Sequence, residues 1–459
     1  MLKKETIIIV GSGLAGSEFA NQLDKQKYDV FILEAGDNTP SFDNNIKFLD
    51  RRFGPTPVRS LNIGGTSALW HGAIMPHSVE ELSINDSFEM PIGLNEFELA
   101  QNYTIKKTLG KNPFCNSNNK IDKISDRLDF VQMAVPRHPT RAKIIQNSRL
   151  ISDVKNIQLE FENSRIKRIF FEVNRNIFQI DVDYLIISCG GLGTPLLLNK
   201  ILPLEFQDEN LGRYLIDHPM GYIGKVKLED NFKKDFQLDE HSNENFRLRR
   251  GFSVHDTEQN LYHCFYLRPT KNLNLEDDMI IKKYKLYQFR NHIEIKNFYK
   301  FLDIDIVIEA LFLKYGMNFG NTYSIVCVSE QNSKIENRVY GELRNPIINW
   351  SLDEKYQKSV NDAVDQFIGF LAPYSKDINI FNHRFSRFWS AAHLSGTCRM
   401  SSSDDAAVLN NQFRYKKIDN LFVCDGSILP KIGYSNTGAT ILTLANILAN
   451  RFNSKTQYV

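Results

Sequence analysis

The chain has 459 residues, 42% hydrophobic and 24% charged, and its 56 basic and 54 acidic side chains leave a formal net charge of +2. That length accommodates two domains with cores of their own, and the balanced charge provides no global field to attract nucleic acid, so no nucleic-acid partner is expected. No stretch reaches the ~20 apolar residues of a membrane span; the nearest candidate, Ala439 to Ala449, is interrupted by Thr440, Thr443 and Asn446. Six cysteines are scattered without a CxxC pair, which supports neither a metal site nor a disulfide framework. The apolar run after Lys3 and Lys4 stops at Val10, too short for a secretory signal. A cytoplasmic, reducing compartment is therefore expected.

The first predicted element is a strand, Thr6 to Val10, followed by the turn Gly11-Ser12-Gly13-Leu14-Ala15-Gly16 and a helix with Ala15, Phe19, Ala20 and Leu23 on one face. Gly11 permits the tight turn, Gly13 lets backbone N–H groups approach a pyrophosphate, and Gly16 lets the helix lie close to the strand. An anion then sits at a helix N-terminus. A second strand, Tyr28 to Leu33, delivers Glu34 eighteen residues beyond Gly16, where its carboxylate can accept hydrogen bonds from a ribose diol. Strand, glycine turn, helix and acidic residue together predict an adenine dinucleotide site without a 2′-phosphate.

A loop region through Phe53 to Pro57 leads into Gly64-Gly65-Thr66-Ser67. From about Lys155 the pattern is β-rich, with strands expected at Ile157 to Phe161, Arg165 to Val173 and Phe178 to Val182. Tyr184 to Ile187, running into Gly190-Gly191-Leu192-Gly193, repeats the strand-to-helix logic of the opening and reads as another strand of the nucleotide-binding sheet. Between about 223 and 389 the style changes to alternating aromatic and charged residues, with strand signals at Tyr323 to Ser329 and Pro346 to Trp350. The last seventy residues return to the opening style, with a strand ending in Asp425-Gly426 and a helix from Thr437. The simplest organisation is a discontinuous nucleotide-binding domain, 1–85, 145–222 and 390–459, and a second domain from 86–144 and 223–389 inserted between its parts.

Several separate segments, in order, resemble the glucose–methanol–choline (GMC) family of FAD-dependent oxidoreductases. They are Leu33-Glu34-Ala35-Gly36, Gly64-Gly65-Thr66-Ser67, Cys189 to Pro195, Asn210 to Pro219, Glu330-Gln331 with Glu336 to Val339 and Trp350, and a C-terminal set. That set comprises His393 to Met400, Asp425-Gly426-Ser427 with Pro430, and Ser435-Asn436-Thr437. The resemblance spans nearly the whole chain and selects FAD over NAD. It implies an α/β fold, in which a Rossmann-like FAD-binding domain receives an inserted α+β substrate domain on a mainly antiparallel sheet. It implies cofactor contacts from Gly11, Gly13, Leu14, Ala15, Gly16 and Glu34, from Gly64, Gly65 and Ser67, and from Asp425, Gly426, Asn436 and Thr437. Where family members that bind FAD covalently often carry histidine, this chain has Leu69, which has no nucleophile. Non-covalent FAD is expected, and His71 projects differently.

The resemblance also places His393 facing the flavin as the base that takes a hydroxyl proton, a task suited to an imidazole near neutral pH. Asn436 matches the second active-site position, where an amide orients the substrate oxygen without titrating; Asn is also a good helix N-cap before Thr437. His218, in Asp217-His218-Pro219, reads as structural, its ring satisfied by the adjacent aspartate. The expected reaction is oxidation of an alcohol, a sugar or polyol derivative, with oxygen, a quinone or a protein as electron acceptor. A non-redox FAD-containing lyase and a catalytically inactive flavin-binding protein are the alternatives. The stretch Ile280 to Phe301 interleaves six Lys and Arg with aromatics, a pattern for a peripheral membrane or lipid-linked contact or, more commonly, a solvated helix face. Arg384 and Arg387 are candidates to anchor an anionic substrate.

Overall fold

The computed structural model describes residues 3–454 except 40, 43–44, 50–57, 70–71, 79, 85–86, 89–91, 115–122, 126–127, 137–141, 143–147, 231, 233–244, 270–320, 383–387 and 402–405. The basic stretch Ile280 to Phe301, the loop Phe53 to Pro57, His71, Arg384 and Arg387 lie outside the described residues.

Ile7, Ile8 and Ile9 are all fully buried, the continuous apolar run of a strand covered on both faces. Their strand, Glu5–Val10, lies at the centre of a five-stranded parallel sheet in the order Arg149–Ile151, Tyr28–Leu33, Glu5–Val10, Tyr184–Ile187, Leu421–Val423. Val10 is in register with both Leu33 and Ile187, and Ile187 with Val423. Gly11, Glu34, Ser188 and Cys424 therefore emerge together at the carboxyl edge of the sheet, where open parallel sheets bind ligands.

Among the described residues four helices build on this sheet, Gly190–Ile201 among them through Leu197, Leu198 and Ile201. The first, Leu14–Gln22, and the terminal helix, Thr437–Ser454, meet edge-on through Phe19 and Phe452, with ring centroids 5.4 Å apart. Helix Leu94–Leu109 packs on the other side of the terminal helix. There Asn446 donates to the Thr104 hydroxyl at 2.9 Å, and Arg451 forks onto Glu96 at 2.9 and 2.7 Å. Covered by both neighbours, the terminal helix buries most of its circumference. Among the described residues, no helix is long and apolar enough to cross a membrane.

Among the described residues the second large sheet has eight strands, all paired antiparallel, drawn from 123–136, 219–269, 322–329, 375–380 and 389–390. Helix Glu354–Leu371 covers one face; Asp353 caps it by accepting from the Tyr356 N–H at 2.8 Å, and Tyr356, Val360, Val364, Phe367 and Leu371 form its buried stripe. Phe367 stacks on Phe265 with centroids 4.5 Å apart. The antiparallel sheet includes Pro219 and Met220, which pair with Ser390 and Trp389. Helix Leu94–Leu109 shares the core of the parallel sheet through Phe97 and Ala100, since its apolar stripe meets the terminal helix.

Candidate active site

Gly11 has φ +103, and a Cβ there would stand 2.4 Å from the Ser188 carbonyl oxygen. Gly16 is equally confined: its Cβ would come within 2.1 Å of the Gly11 oxygen. Both glycines are required by close backbone approach. Gly13 is different, because a Cβ there would have nothing within 4 Å. It occupies the N-cap position of the first helix and no side chain caps that end, so the N–H groups of Leu14, Ala15 and Gly16 head a helix terminus beside open space. The site thus has what a dinucleotide pyrophosphate needs: room at Gly13 and uncapped helix donors.

Ser12, which the sequence reading passed over, ties this turn to its neighbours. Its N–H and hydroxyl donate to Glu34 Oε2 at 2.9 and 2.6 Å, and its Oγ accepts from the Gly64 N–H at 2.9 Å. Glu34 Oε1 accepts from the Gly36 N–H at 3.0 Å. Gly65, at φ +55, approaches Gly13 so closely that its Cβ would lie 3.4 Å from the Gly13 Cα. Ser67 donates to the Gly64 carbonyl at 2.6 Å and accepts from the Ala142 N–H at 3.1 Å. The two glycine loops and Glu34 therefore form one cradle. Leu69 closes the short helix after Gly64, its N–H donating to the Thr66 carbonyl at 3.0 Å.

Asp425 is oriented by the protein itself. Its carboxylate accepts from the Gly190 N–H at 2.9 Å, the Thr194 hydroxyl at 2.6 Å and the Ser427 N–H at 2.7 Å. Burial raises its pKa. It caps the start of the helix Gly190–Ile201 as well as the turn Gly426–Ile428. Gly426 follows it in the chain and is buried, and Thr437 is buried at the head of the terminal helix.

The segment carrying His393 crosses directly over this edge. A Cβ on Gly191 would meet the Leu394 carbonyl oxygen at 1.9 Å, and the Thr397 hydroxyl donates to the Gly191 carbonyl at 2.7 Å. Asp217 fixes the approach: its Oδ1 accepts from the backbone N–H groups of His218 at 2.7 Å and His393 at 2.9 Å, while its Oδ2 accepts from the Ser390 hydroxyl. This corrects the expectation that Asp217 satisfies the His218 ring. The carboxylate binds main chain, because the adjacent aspartate reaches back to its own neighbour's N–H more readily than to the ring. The ring meets His393 instead, Nδ1 to Nδ1 at 2.8 Å, with the rings edge-to-face at 84°. Burial pushes His218 down to about 4 and His393 down to about 3, so both are neutral at pH 7.

A third segment, 431–436, is gripped residue by residue. Lys431 pairs with buried Glu330 at 3.5 Å. The Ile432 carbonyl faces His77 Nε2 at 2.7 Å, and the Gly433 carbonyl faces His218 Nε2 at 2.8 Å. Glu81 accepts from the N–H groups of Tyr434 and Ser435, each at 3.0 Å, and from the Ser435 hydroxyl at 2.9 Å. Asn436 then donates its side-chain amide to the Ala73 carbonyl at 3.1 Å. Asn436 and the carbonyl that meets His218 are thus three residues apart on one rigid turn, which connects both catalytic candidates. Glu81 gave no signal in sequence, where it follows Glu80 as an ordinary acidic pair; burial raises it to about 7 against the pull of its donors.

The family model described as GMC oxidoreductase matches residues 354–445, the span from the capped helix through His393 into the terminal helix. The fold is similar to that of pyridoxine 4-oxidase from Mesorbium loti, with a TM-score of 0.59 at 15% identity over 99% of this chain and 100% of that one. It is also similar to a variant of formate oxidase from Aspergillus oryzae RIB40 in a study of FAD modification, with a TM-score of 0.55 at 16% identity over 99% of each chain.

Proposed function

We propose that this chain is a GMC oxidoreductase, supported by its C-terminal segment and its fold, that binds FAD without a covalent link and oxidises an alcohol, with His393 as the base. The observation that carries the reading is the packing of the His393 segment onto Gly191, at the same sheet edge as the Gly11–Gly16 turn and Glu34. Cofactor cradle and base therefore share one scaffold.

FAD, when bound, supplies the hydride acceptor. Gly13 and the N–H groups of the first helix would hold the pyrophosphate, and Glu34 the ribose. His393 is neutral at working pH because of its burial, so it can take the hydroxyl proton as the alcohol is oxidised. Asn436 retains hydrogen-bonding capacity beyond its bond to Ala73 and orients the substrate oxygen. Leu69, lacking a nucleophile, supports a dissociable cofactor. Both structural neighbours are named as oxidases, which supports oxygen as the electron acceptor to try first.

The test is anaerobic flavin reduction by a panel of primary alcohols, sugars, polyols and pyridoxine, followed by reoxidation with oxygen. Bleaching of the flavin absorbance by a panel member is expected. His393→Ala should retain flavin but reduce it about 10²–10⁴-fold more slowly. A His393→Ala protein that reduces at the wild-type rate with an unchanged flavin spectrum would remove the base assignment. Acid precipitation should leave the flavin in the supernatant; flavin in the pellet would refute non-covalent binding.

A further inference from the structure

His218 Nε2 lies 2.8 Å from the Gly433 carbonyl oxygen and 3.4 Å from that of Ile432. A carbonyl oxygen offers only lone pairs, so Nε2 carries the hydrogen. The neutral ring has one N–H, and His218 Nδ1 is therefore a bare lone pair. That atom sits 2.8 Å from His393 Nδ1. Two bare nitrogens at this distance repel, so His393 Nδ1 must carry a hydrogen and donate it. His393 is neutral as well, which leaves its Nε2 unprotonated. One backbone carbonyl, acting through two rings, sets the tautomer of His393.

We infer that His218 is a positioning residue that holds His393 as its Nδ1–H tautomer, leaving Nε2 as the lone pair that receives the substrate proton. The inference rests on the reading of His393 as the base and assigns a task to a histidine that the sequence reading set aside. The same geometry serves the next moment. When His393 Nε2 takes a proton, the Nδ1–H already points at a neutral acceptor, and the bond becomes charge-assisted. His218 could not serve in this way if it were protonated, since two N–H groups would then face each other. Its surroundings keep it neutral: the ring is buried and His77 adds to the effect, while the adjacent Asp217 accepts from the His218 and His393 N–H groups and from the Ser390 hydroxyl. Glu81 and the Lys431–Glu330 pair act on the same 431–436 turn, holding the Gly433 carbonyl in place.

The test is the tautomer itself, read by ¹⁵N NMR of the histidine-labelled holoprotein, with His393→Gln identifying the His393 signals. Wild type should show a pyrrole-type Nδ1 and a pyridine-type Nε2 at His393. His218→Leu removes the acceptor and should release His393 to a mixed or Nε2–H tautomer. His218→Asn keeps an amide oxygen near the old Nδ1 position and should restore the Nδ1–H form. Flavin reduction by the panel alcohol that bleaches the wild type should slow at least about tenfold in His218→Leu, the loss falling on kcat rather than KM, and recover in His218→Asn; a wrong tautomer costs up to about 10⁴-fold in a serine-protease triad. Wild-type His393 found as Nε2–H would overturn the inference even if His218→Leu does not fold, as would an unchanged tautomer in a folded His218→Leu. Failure of the base reading is separate: it shows as undiminished reduction in His393→Ala, whichever tautomer the NMR finds.

Discussion

Glu34 shows how much one carboxylate is asked to do. Oε2 takes two donors from Ser12 and Oε1 takes the Gly36 N–H, so the side chain organises the cradle before any ribose arrives. Glu34→Gln keeps the shape but turns one acceptor into a donor that faces another donor. The apoprotein should lose about 1–3 kcal/mol from that mismatch, visible as a lower urea midpoint. Loss of the charge should also weaken the bonds to a ribose diol, each worth ~1.5–3 kcal/mol, raising the FAD dissociation constant at least about tenfold. Lowered stability with an unchanged dissociation constant would mean that Glu34 serves the fold alone. At this scale the sequence was only partly legible. Glu34 and His393 stood out because spacing and neighbouring motif identify them. Ser12, His218 and Glu81 did not, because their partners lie 52, 175 and more than 350 residues away and no local pattern records such a meeting.

The glycine turn is the element where fold and cofactor can be separated. Gly16→Ala would force a methyl to 2.1 Å from a backbone oxygen, which neither helix nor strand can yield without moving, so a loss of about 1–3 kcal/mol or failure to fold is expected. Gly13→Ala meets nothing within 4 Å, and its backbone, φ −66, suits any residue. The small loss of a glycine cap is offset by lower unfolded-state entropy, and apoprotein stability should stay within about 1 kcal/mol of wild type. In the proposed cofactor site, however, the methyl would stand where the pyrophosphate approaches. A flavin titration should show weakened FAD binding for Gly13→Ala alongside an unchanged thermal melt; tight binding would place the cofactor elsewhere. Turns of this kind are written in short-range sequence, which is why the opening strand, turn, helix and second strand were readable to within a residue. The same holds for Arg165–Val173 and Tyr184–Ile187. Helix Leu94–Leu109 was not read from the sequence, and an amphipathic face would in any case mark burial without naming what buries it. The partner, the terminal helix, reads as buried only once helices are found on both its sides.

Over the whole molecule, buried titratable groups should give folding a distinctive pH dependence. Burial pushes His77, His218 and His263 down to about 4 and His393 down to about 3, whereas the unfolded chain titrates near 6.5. Between those values the unfolded state binds more protons, so stability from the histidines is complete above about 6.5 and is lost as pH falls toward 4. Glu81 and Glu330, raised to about 7 by burial, act oppositely: their contribution is complete below the unfolded carboxylate value of about 4.3 and is lost as pH rises through 7. Four histidines outweigh two glutamates between about 4.5 and 6.5. Stability should therefore climb with pH across that window, peak near about 7, where the histidine and glutamate contributions balance, and decline slightly above it. Urea midpoints measured from pH 4 to 8 would reveal this; a midpoint that is flat or falling from 4.5 to 6.5 would contradict it. His263 isolates the effect from the active site, since its ring is held by the Ser329 and Ser359 hydroxyls at 2.6 and 2.8 Å within the antiparallel sheet's core. His263→Gln should flatten the acid slope by the share of one proton, about 1.4 kcal/mol per pH unit, while leaving the rate of flavin reduction unchanged. An acid slope that survives this substitution in full would mean that the His263 site takes up its proton as readily folded as unfolded.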